Sequence, residues 1–288
     1  MGAPTELPTA SSFSAPDAPA ARREREGDRA RAIYASLERL VARLDNPPPA
    51  APGDLTRFEL RVFSQNGEDG VLCELLRRTG SATRHFAEFG IGTGVQGSAV
   101  FLAEVLGWRG LFIEPSDDYL AVERRWAGRP QVRTARSLVT PENVNVLFAE
   151  HGVPEEPDVV SIDIDGNDYW VWEALTFRPR ILVIEYNGHL DTSPDVRLVQ
   201  PYEERAWDNT DFFGASLGAL EALGRRKGYR IVHTELAGVN AFFVREDLRS
   251  ELPRPEIVPR RRVNQRLSGR THPRDPQNRQ YLTIDRSG

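Results

Sequence analysis

The 288-residue chain holds a single cysteine, Cys73, so neither an internal disulfide nor a cysteine-built zinc site is available to it. Cys73 stands beside Val71 and Leu72 in a helical pattern and reads as a buried, inert thiol rather than a nucleophile. Lysine is almost missing: all but one of the 37 basic residues are arginine, Lys227 being the exception, which reads as a bias of coding rather than of function. No stretch approaches the ~20 apolar residues that cross a bilayer. The N-terminus has neither the basic start nor the apolar run of a signal peptide. These absences lead to the expectation of a cytoplasmic protein without a membrane partner. A surplus of positive charge is also missing, and the formal net charge of −5 offers nucleic acid no global attraction. What is present is ordinary for a globular protein, with 40% hydrophobic and 27% charged residues. The length suits one sizeable α/β domain plus extensions, or two small domains.

Residues 1–27 are rich in Ala, Pro, Ser and charge and have little to bury, which predicts a disordered tail. Over 28–53, Ile33, Leu37, Leu40, Val41 and Leu44 recur at helical spacing before a Pro-rich linker at 46–53. That helix has three fates open to it: docking on the main domain, pairing with a second copy in a homo-oligomer, or neither. The main domain is expected over 54–250. Asn66 reads as an N-cap with Glu68 and Asp69 in the first turn, opening a helix to Gly80. Strand-like runs follow at His85–Phe89, Gly110–Glu114, Gln131–Thr134, Asp158–Ile164 and Arg180–Tyr186. Helix-like runs at Ser98–Leu106, Asp117–Ala127, Glu142–Glu150 and Tyr169–Leu175 separate them. Such alternation predicts a mostly parallel sheet covered on both faces, a Rossmann-like three-layer α/β/α sandwich. After a helix at Leu217–Lys227, the strands Tyr229–His233 and Asn240–Val244 lie too close for a crossover and must form an antiparallel hairpin. Residues 251–288 form a basic, Pro-rich extension with one apolar patch at Tyr281–Ile284.

The segment His85-Phe86-Ala87-Glu88-Phe89-Gly90-Ile91-Gly92-Thr93-Gly94 is the most informative. An apolar strand runs into three alternate glycines, where the backbone can turn sharply and approach a ligand. Amides at the start of the following helix then favour a negative group. In S-adenosylmethionine that group is the methionine carboxylate, with Glu88 near the ammonium or an ordered water. Gly92-Thr93-Gly94-Val95-Gln96-Gly97 also matches the dinucleotide fingerprint, but Gly90 occupies the place of its first glycine and Glu88 has no role beside a pyrophosphate. The second strand ends in Glu114, an acid able to accept both ribose hydroxyls of either cofactor class. Arg136 and Ser137, after the third strand, are candidates for the adenine.

The fourth strand ends in Ser161-Ile162-Asp163-Ile164-Asp165-Gly166-Asn167-Asp168, and acids at the end of a buried strand are costly unless they bind something. Asp163 and Asp165 share one side of the strand, and the fifth strand delivers Glu185 with His189 close behind. Asp163, Asp165 and Glu185 suit a hard ion such as Mg²⁺ that lowers the pKa of a substrate hydroxyl. Without metal, an acid or His189 takes the proton. Asp168 reads as the N-cap of the next helix. A D-x-D nucleotide-sugar transferase site through Asp163 and Asp165 stays open, as do an NAD-dependent dehydrogenase and a cofactor-binding protein without catalysis. The long connection Asn187–Phe213, with Tyr202, Trp207, Asp208, Phe212 and Phe213, is the candidate for substrate recognition. His233, in the terminal hairpin, reads as structural.

Taken together, Ser64-Gln65-Asn66-Gly67-Glu68-Asp69-Gly70, the Glu88–Gly94 segment, Gly107-Trp108-Arg109-Gly110-Leu111-Phe112-Ile113-Glu114 and Ser161–Asp168 resemble the FkbM-type family of S-adenosylmethionine-dependent class I methyltransferases over about residues 57 to 247. The resemblance implies O-methylation of a hydroxyl on a small molecule, a sugar or natural product. By position it implies that Glu88, Gly90, Gly92 and Glu114 carry the cofactor, with Gln65 near its methionine end; Gly94, Ser137 and Asp163 are further candidates for cofactor contact. It implies that Asp163 and Asp165 face the transfer site. The chain departs from the family where the usual Asp-x-Glu-Gly is Asp163-Ile164-Asp165-Gly166, which shortens one carboxylate.

Overall fold

The computed structural model describes residues 55–203, 207–248, 252–269 and 272–285. The expected tail over 1–27 and the helix and linker over 28–53 lie outside the described residues. Seven strands make one sheet: β1 (His85–Phe89), β2 (Arg109–Ile113), β3 (Val132–Ala135), β4 (Val159–Ile162), β5 (Ile181–Glu185), β7 (Tyr229–Thr234) and β8 (Asn240–Arg245). Their order across the sheet is β3-β2-β1-β4-β5-β8-β7. The first five are mutually parallel, and β8 runs antiparallel to both β5 and β7. A separate pair joins β6 (Leu198–Val199) to β9 (Leu282–Thr283).

Both faces of the sheet are covered, which is why its strands read as nearly continuous apolar runs. Helices α1 (Glu68–Thr79), α2 (Val100–Glu104) and α3 (Tyr119–Trp126) pack on the face that carries Phe86, Phe112 and Val183. Helices α4 (Val144–Glu150), α5 (Asp168–Ala174) and α6 (Leu217–Lys227) cover the face that carries Ala87, Leu111, Val160 and Leu182. The expected three-layer sandwich with a terminal antiparallel hairpin is the observed one. Cys73 is buried and free, and burial raises its thiol pKa far above the ordinary value. His233 is buried and pairs with Glu59 at 2.9 Å.

Two expected caps differ. Gly67, not Asn66, precedes α1. The Glu68 carboxylate accepts from the Asn66 and Gly67 amides at 2.8 and 2.7 Å. Asp69 accepts from the amides of Val62, Phe63 and Ser64, each at 2.8 Å. These acids therefore fold the preceding loop back onto the helix start, where the dipole favours them. Likewise Asn167 precedes α5, and Asp168 is its first residue. The Asp168 carboxylate accepts from the amides of Ile164 and Gly166 at 2.9 Å each, pinning the loop after β4.

Candidate active site

The sheet order reverses direction between β1 and β4, the place where open α/β sheets leave a crevice beyond the carboxyl ends of their strands. A cleft of about 350 Å³ opens there, within the size range of small-molecule sites. Gly90 and Gly92 line it from the loop after β1, and Glu114, Pro115 and Ser116 from the end of β2. Leu138, Val139 and Thr140 line it after β3, and Asp163, Ile164, Asp165 and Asn167 after β4. Tyr202 and Trp207 close it from the long connection after β5.

The backbone is shaped for close approach. Gly90 has φ +69°, and a Cβ there would lie 1.8 Å from the Asp163 carbonyl oxygen, so only glycine lets these two loops meet. Gly92 has φ +55° with open space where its Cβ would be. The Gly92 amide donates to the buried Glu114 carboxylate at 2.7 Å, and the Ser116 amide donates to its other oxygen at 2.9 Å. Glu114 is thus locked in place at the rim, and each of its oxygens keeps further lone-pair capacity. Its neighbour Leu138 is 53% exposed, an apolar face turned to solvent at the edge of a cleft.

The candidate residues separate into two groups. Gly90, Gly92, Glu114, Asp163 and Asp165 share the cleft. Asp163, Asp165 and Glu185 each offer a carboxylate oxygen, all within 4.8 Å of one another. Gln65, Glu88, Gly94, Ser137 and His189 are not among the residues lining the cleft. Glu88 is buried and accepts from the Ser98 and Ala99 amides at 2.7 and 2.9 Å, directly before α2. Burial pushes its pKa up to about 8 against the pull of those amides, and the charges of Asp163 and Glu68 add to the rise. Burial likewise lifts Asp168 to about 6. Gln65 is exposed on the loop before α1, and Ser137 donates to the Leu138 carbonyl at 3.2 Å. Arg136 pairs with Asp117 at 2.6 Å.

His189 finds its partner in the C-terminal extension. Its Nε2 lies 3.0 Å from Nδ1 of His272, and burial lowers its pKa. His272 belongs to the C-terminal extension, which folds back over the connection after β5. The Tyr281 hydroxyl accepts from Asn187 Nδ2 at 3.0 Å and from the Phe213 amide at 3.2 Å. Arg279 donates to Asp208 at 2.6 Å, and Trp207 meets His272 edge-on with ring centroids 4.7 Å apart. The wall of the cleft at Trp207 is therefore held by residues 65 and more positions downstream.

No family model matches the chain, and no curated protein is similar to it. Solved structures with a likeness include the N-terminal domain of EvdMO1 with SAH bound, at 15% identity over 76% of this chain and 94% of that one, with a TM-score of 0.41. An S-adenosylmethionine-dependent methyltransferase from Clostridium acetobutylicum matches at 9% identity over 74% and 98% of the two chains, with a TM-score of 0.39. The O-methyltransferase from Bacillus cereus in complex with SAH matches at 20% identity over 54% and 66%, with a TM-score of 0.33. Scores of this size decide no chemistry, which has to be read from the residues of this chain.

Proposed function

We propose that this chain is an S-adenosylmethionine-dependent methyltransferase of the FkbM type that methylates a hydroxyl of a small molecule such as a sugar or natural product. The observation that carries the reading is Glu114, a buried carboxylate fixed by two amides at the mouth of the cleft beside Gly90 and Gly92. An acid so placed accepts the two hydroxyls of a ribose. Leu138 and Val139 supply apolar surface for the adenine. The glycine turn leaves room for the methionine end of the cofactor, whose sulfonium methyl would face Asp163 and Asp165.

When bound, the cofactor supplies an electrophilic methyl group. The chain's own part is to hold the acceptor hydroxyl in line with it, a positioning effect worth up to ~7–11 kcal/mol. Asp163 or Asp165 accepts the hydroxyl proton as the oxygen attacks. Tyr202 and Trp207 shield the reacting pair from water. His189, tied to His272 outside the cleft lining, is assigned to bracing the wall rather than to proton transfer. Glu88 is assigned to ordering the glycine loop through the α2 amides.

A second reading of the same acids rests on the 4.8 Å grouping of Asp163, Asp165 and Glu185. Three carboxylates from two strand ends suit a hard divalent ion such as Mg²⁺, with water completing its shell. Such an ion would bind the acceptor hydroxyl and lower its pKa.

Calorimetric titration with S-adenosylmethionine, S-adenosylhomocysteine and NAD tests the proposal. Wild type should bind the two sulfur ligands and not NAD, and Glu114→Ala should weaken them about tenfold or more, as expected for a lost charge-assisted hydrogen bond. Preference for NAD overturns it in favour of a dehydrogenase, and binding of none of the three overturns it in favour of a nucleotide sugar at Asp163 and Asp165. Methyl transfer to hydroxylated acceptors, compared in EDTA and in Mg²⁺, separates the two readings of the acids.

A further inference from the structure

The amino ends of the same strands carry a second cavity, of about 380 Å³, lined by His85, Arg109, Arg133 and His151. It is at the opposite end of the sheet from the cleft, where α/β folds do not ordinarily bind ligands. The register explains how its residues meet. His85 pairs with Arg109 across β1 and β2, and Arg133 pairs with Leu111 across β2 and β3. Arg109 and Leu111 are two residues apart on one strand, so all three cationic or imidazole side chains emerge on the same face. His151 follows the last turn of α4, which packs on that face, and its Nδ1 lies 2.9 Å from the Leu147 carbonyl.

Counter-charge is what this cavity lacks. No carboxylate lines it, and among the described residues neither Arg109 nor Arg133 has an ion-pair partner. Several arginines elsewhere are paired, as Arg77 and Arg78 are with Glu74 and Arg125 is with Glu104. Asp158, the buried acid nearest in sequence to this end of the sheet, is committed to the amides of Ala82, Thr83 and Arg84 and to Arg180. The concentration of positive charge is felt inside the cavity: after burial, the guanidinium groups of Arg109 and Arg133 help to hold the His85 pKa below its ordinary value, against Asp158.

We infer that this cavity is an anion site that takes the phosphate or diphosphate group of a small molecule, held in the forks of Arg109 and Arg133 with His85 and His151 beside them. Guanidinium forks match phosphate oxygens two at a time. A pocket with only two arginines on a chain of net negative charge offers too little positive surface for a polyanion such as nucleic acid and suits a small phosphorylated ligand. The inference stands whether or not the opposite cleft transfers methyl groups.

Calorimetry in phosphate-free buffer tests it, with inorganic pyrophosphate, inorganic phosphate and glycerol phosphate as probes at constant ionic strength. Wild type should bind one pyrophosphate per chain saturably. Arg109→Gln and Arg133→Gln should each weaken binding about tenfold, and Arg→Lys at either position should lose less, because charge is kept while the fork is lost. Both arginines are exposed, so the variants should melt with wild type. Tighter binding of glycerol phosphate than of inorganic phosphate identifies an esterified ligand, and the reverse order identifies the free ion. As a second readout, the His85 ring should titrate at higher pH with pyrophosphate bound. Absence of saturable binding, or binding that survives both Gln substitutions with the His85 titration unmoved, overturns the site.

Discussion

Replacing Gly90 by alanine tests the geometry on which the cleft depends. The added Cβ would lie 1.8 Å from the Asp163 carbonyl oxygen, against a comfortable separation of ~3.5 Å. The two loops must then part by more than an ångström, although β1 and β4 are still paired in register at Glu88 and Ser161, only two residues back. Forced overpacking of this kind costs about 1–3 kcal/mol. Alanine at φ +69° adds about 1–2 kcal/mol. The sum is about 2–5 kcal/mol, or roughly 5–20 °C in Tm for a domain of this size. Gly92 is the internal control. It has a similar φ of +55° but nothing within 4 Å of the added Cβ, so Gly92→Ala should cost only the backbone strain of about 1–2 kcal/mol. Because Gly92 lines the cleft, its substitution should nevertheless weaken S-adenosylhomocysteine sharply. Thermal and urea melts of the two variants, followed by ligand titration of each, decide the matter. If Gly90→Ala melts together with Gly92→Ala, the close approach of the β1 and β4 loops is not what shapes the cleft.

Glu88 should make stability depend on pH. Burial raises its pKa in the fold to about 8, well above the ordinary carboxylate value, so the stability due to its neutral form is full below the unfolded value and is lost as pH rises toward 8, at about 1.4 kcal/mol per unit. Urea melts between pH 5 and 9 should show that decline in wild type and a much flatter line in Glu88→Gln. A decline of equal slope in both would refute the assignment. Asp158→Ala leaves the Arg180 guanidinium without its carboxylate partner and three amides without their acceptor and should destabilise by about 3–5 kcal/mol, read by denaturant midpoint. Tyr281→Phe removes a hydroxyl that receives two donors and reaches the Asp211 carbonyl at 3.1 Å. It should cost about 1–2 kcal/mol and loosen Trp207, visible as a change in its fluorescence.

Much of this architecture was legible because period and burial coincide. The run His85–Phe89 is a strand in the sequence and in the fold, and Leu217–Lys227 is a helix in both. Ser216 supplies its N-cap and Gly228 its left-handed end. The two acidic clusters depart in detail from what capping, a local rule, leads one to expect. Asp69 and Asp168 do bind amides, but amides of the loop before the helix rather than of its first turn. Leu138, Val139 and Thr140 were not singled out, since nothing in their spacing distinguishes a cleft wall from a plain loop. The C-terminal extension was unreadable for a different reason. Its strand has two residues, and its meaning lies in a partner, Leu198–Val199, far back along the chain. Proximity in sequence places His189 beside the acids, whereas its neighbour in space is His272.

The fold-back of the extension has a consequence for how the chain comes off the ribosome. The seven-stranded sheet has all its strands once Arg245 is made, and its hydrophobic layers lack little beyond Leu248, Leu252 and Val258. His272, Arg279 and Tyr281, which grip Trp207, Asp208 and Asn187, follow some tens of residues later, a delay of a few seconds at ~5–20 residues per second. The nascent protein thus acquires its core before its binding cleft is finished. A chain arrested in that interval would be folded, protease-resistant in its sheet, and slack at the cleft wall that Trp207 forms.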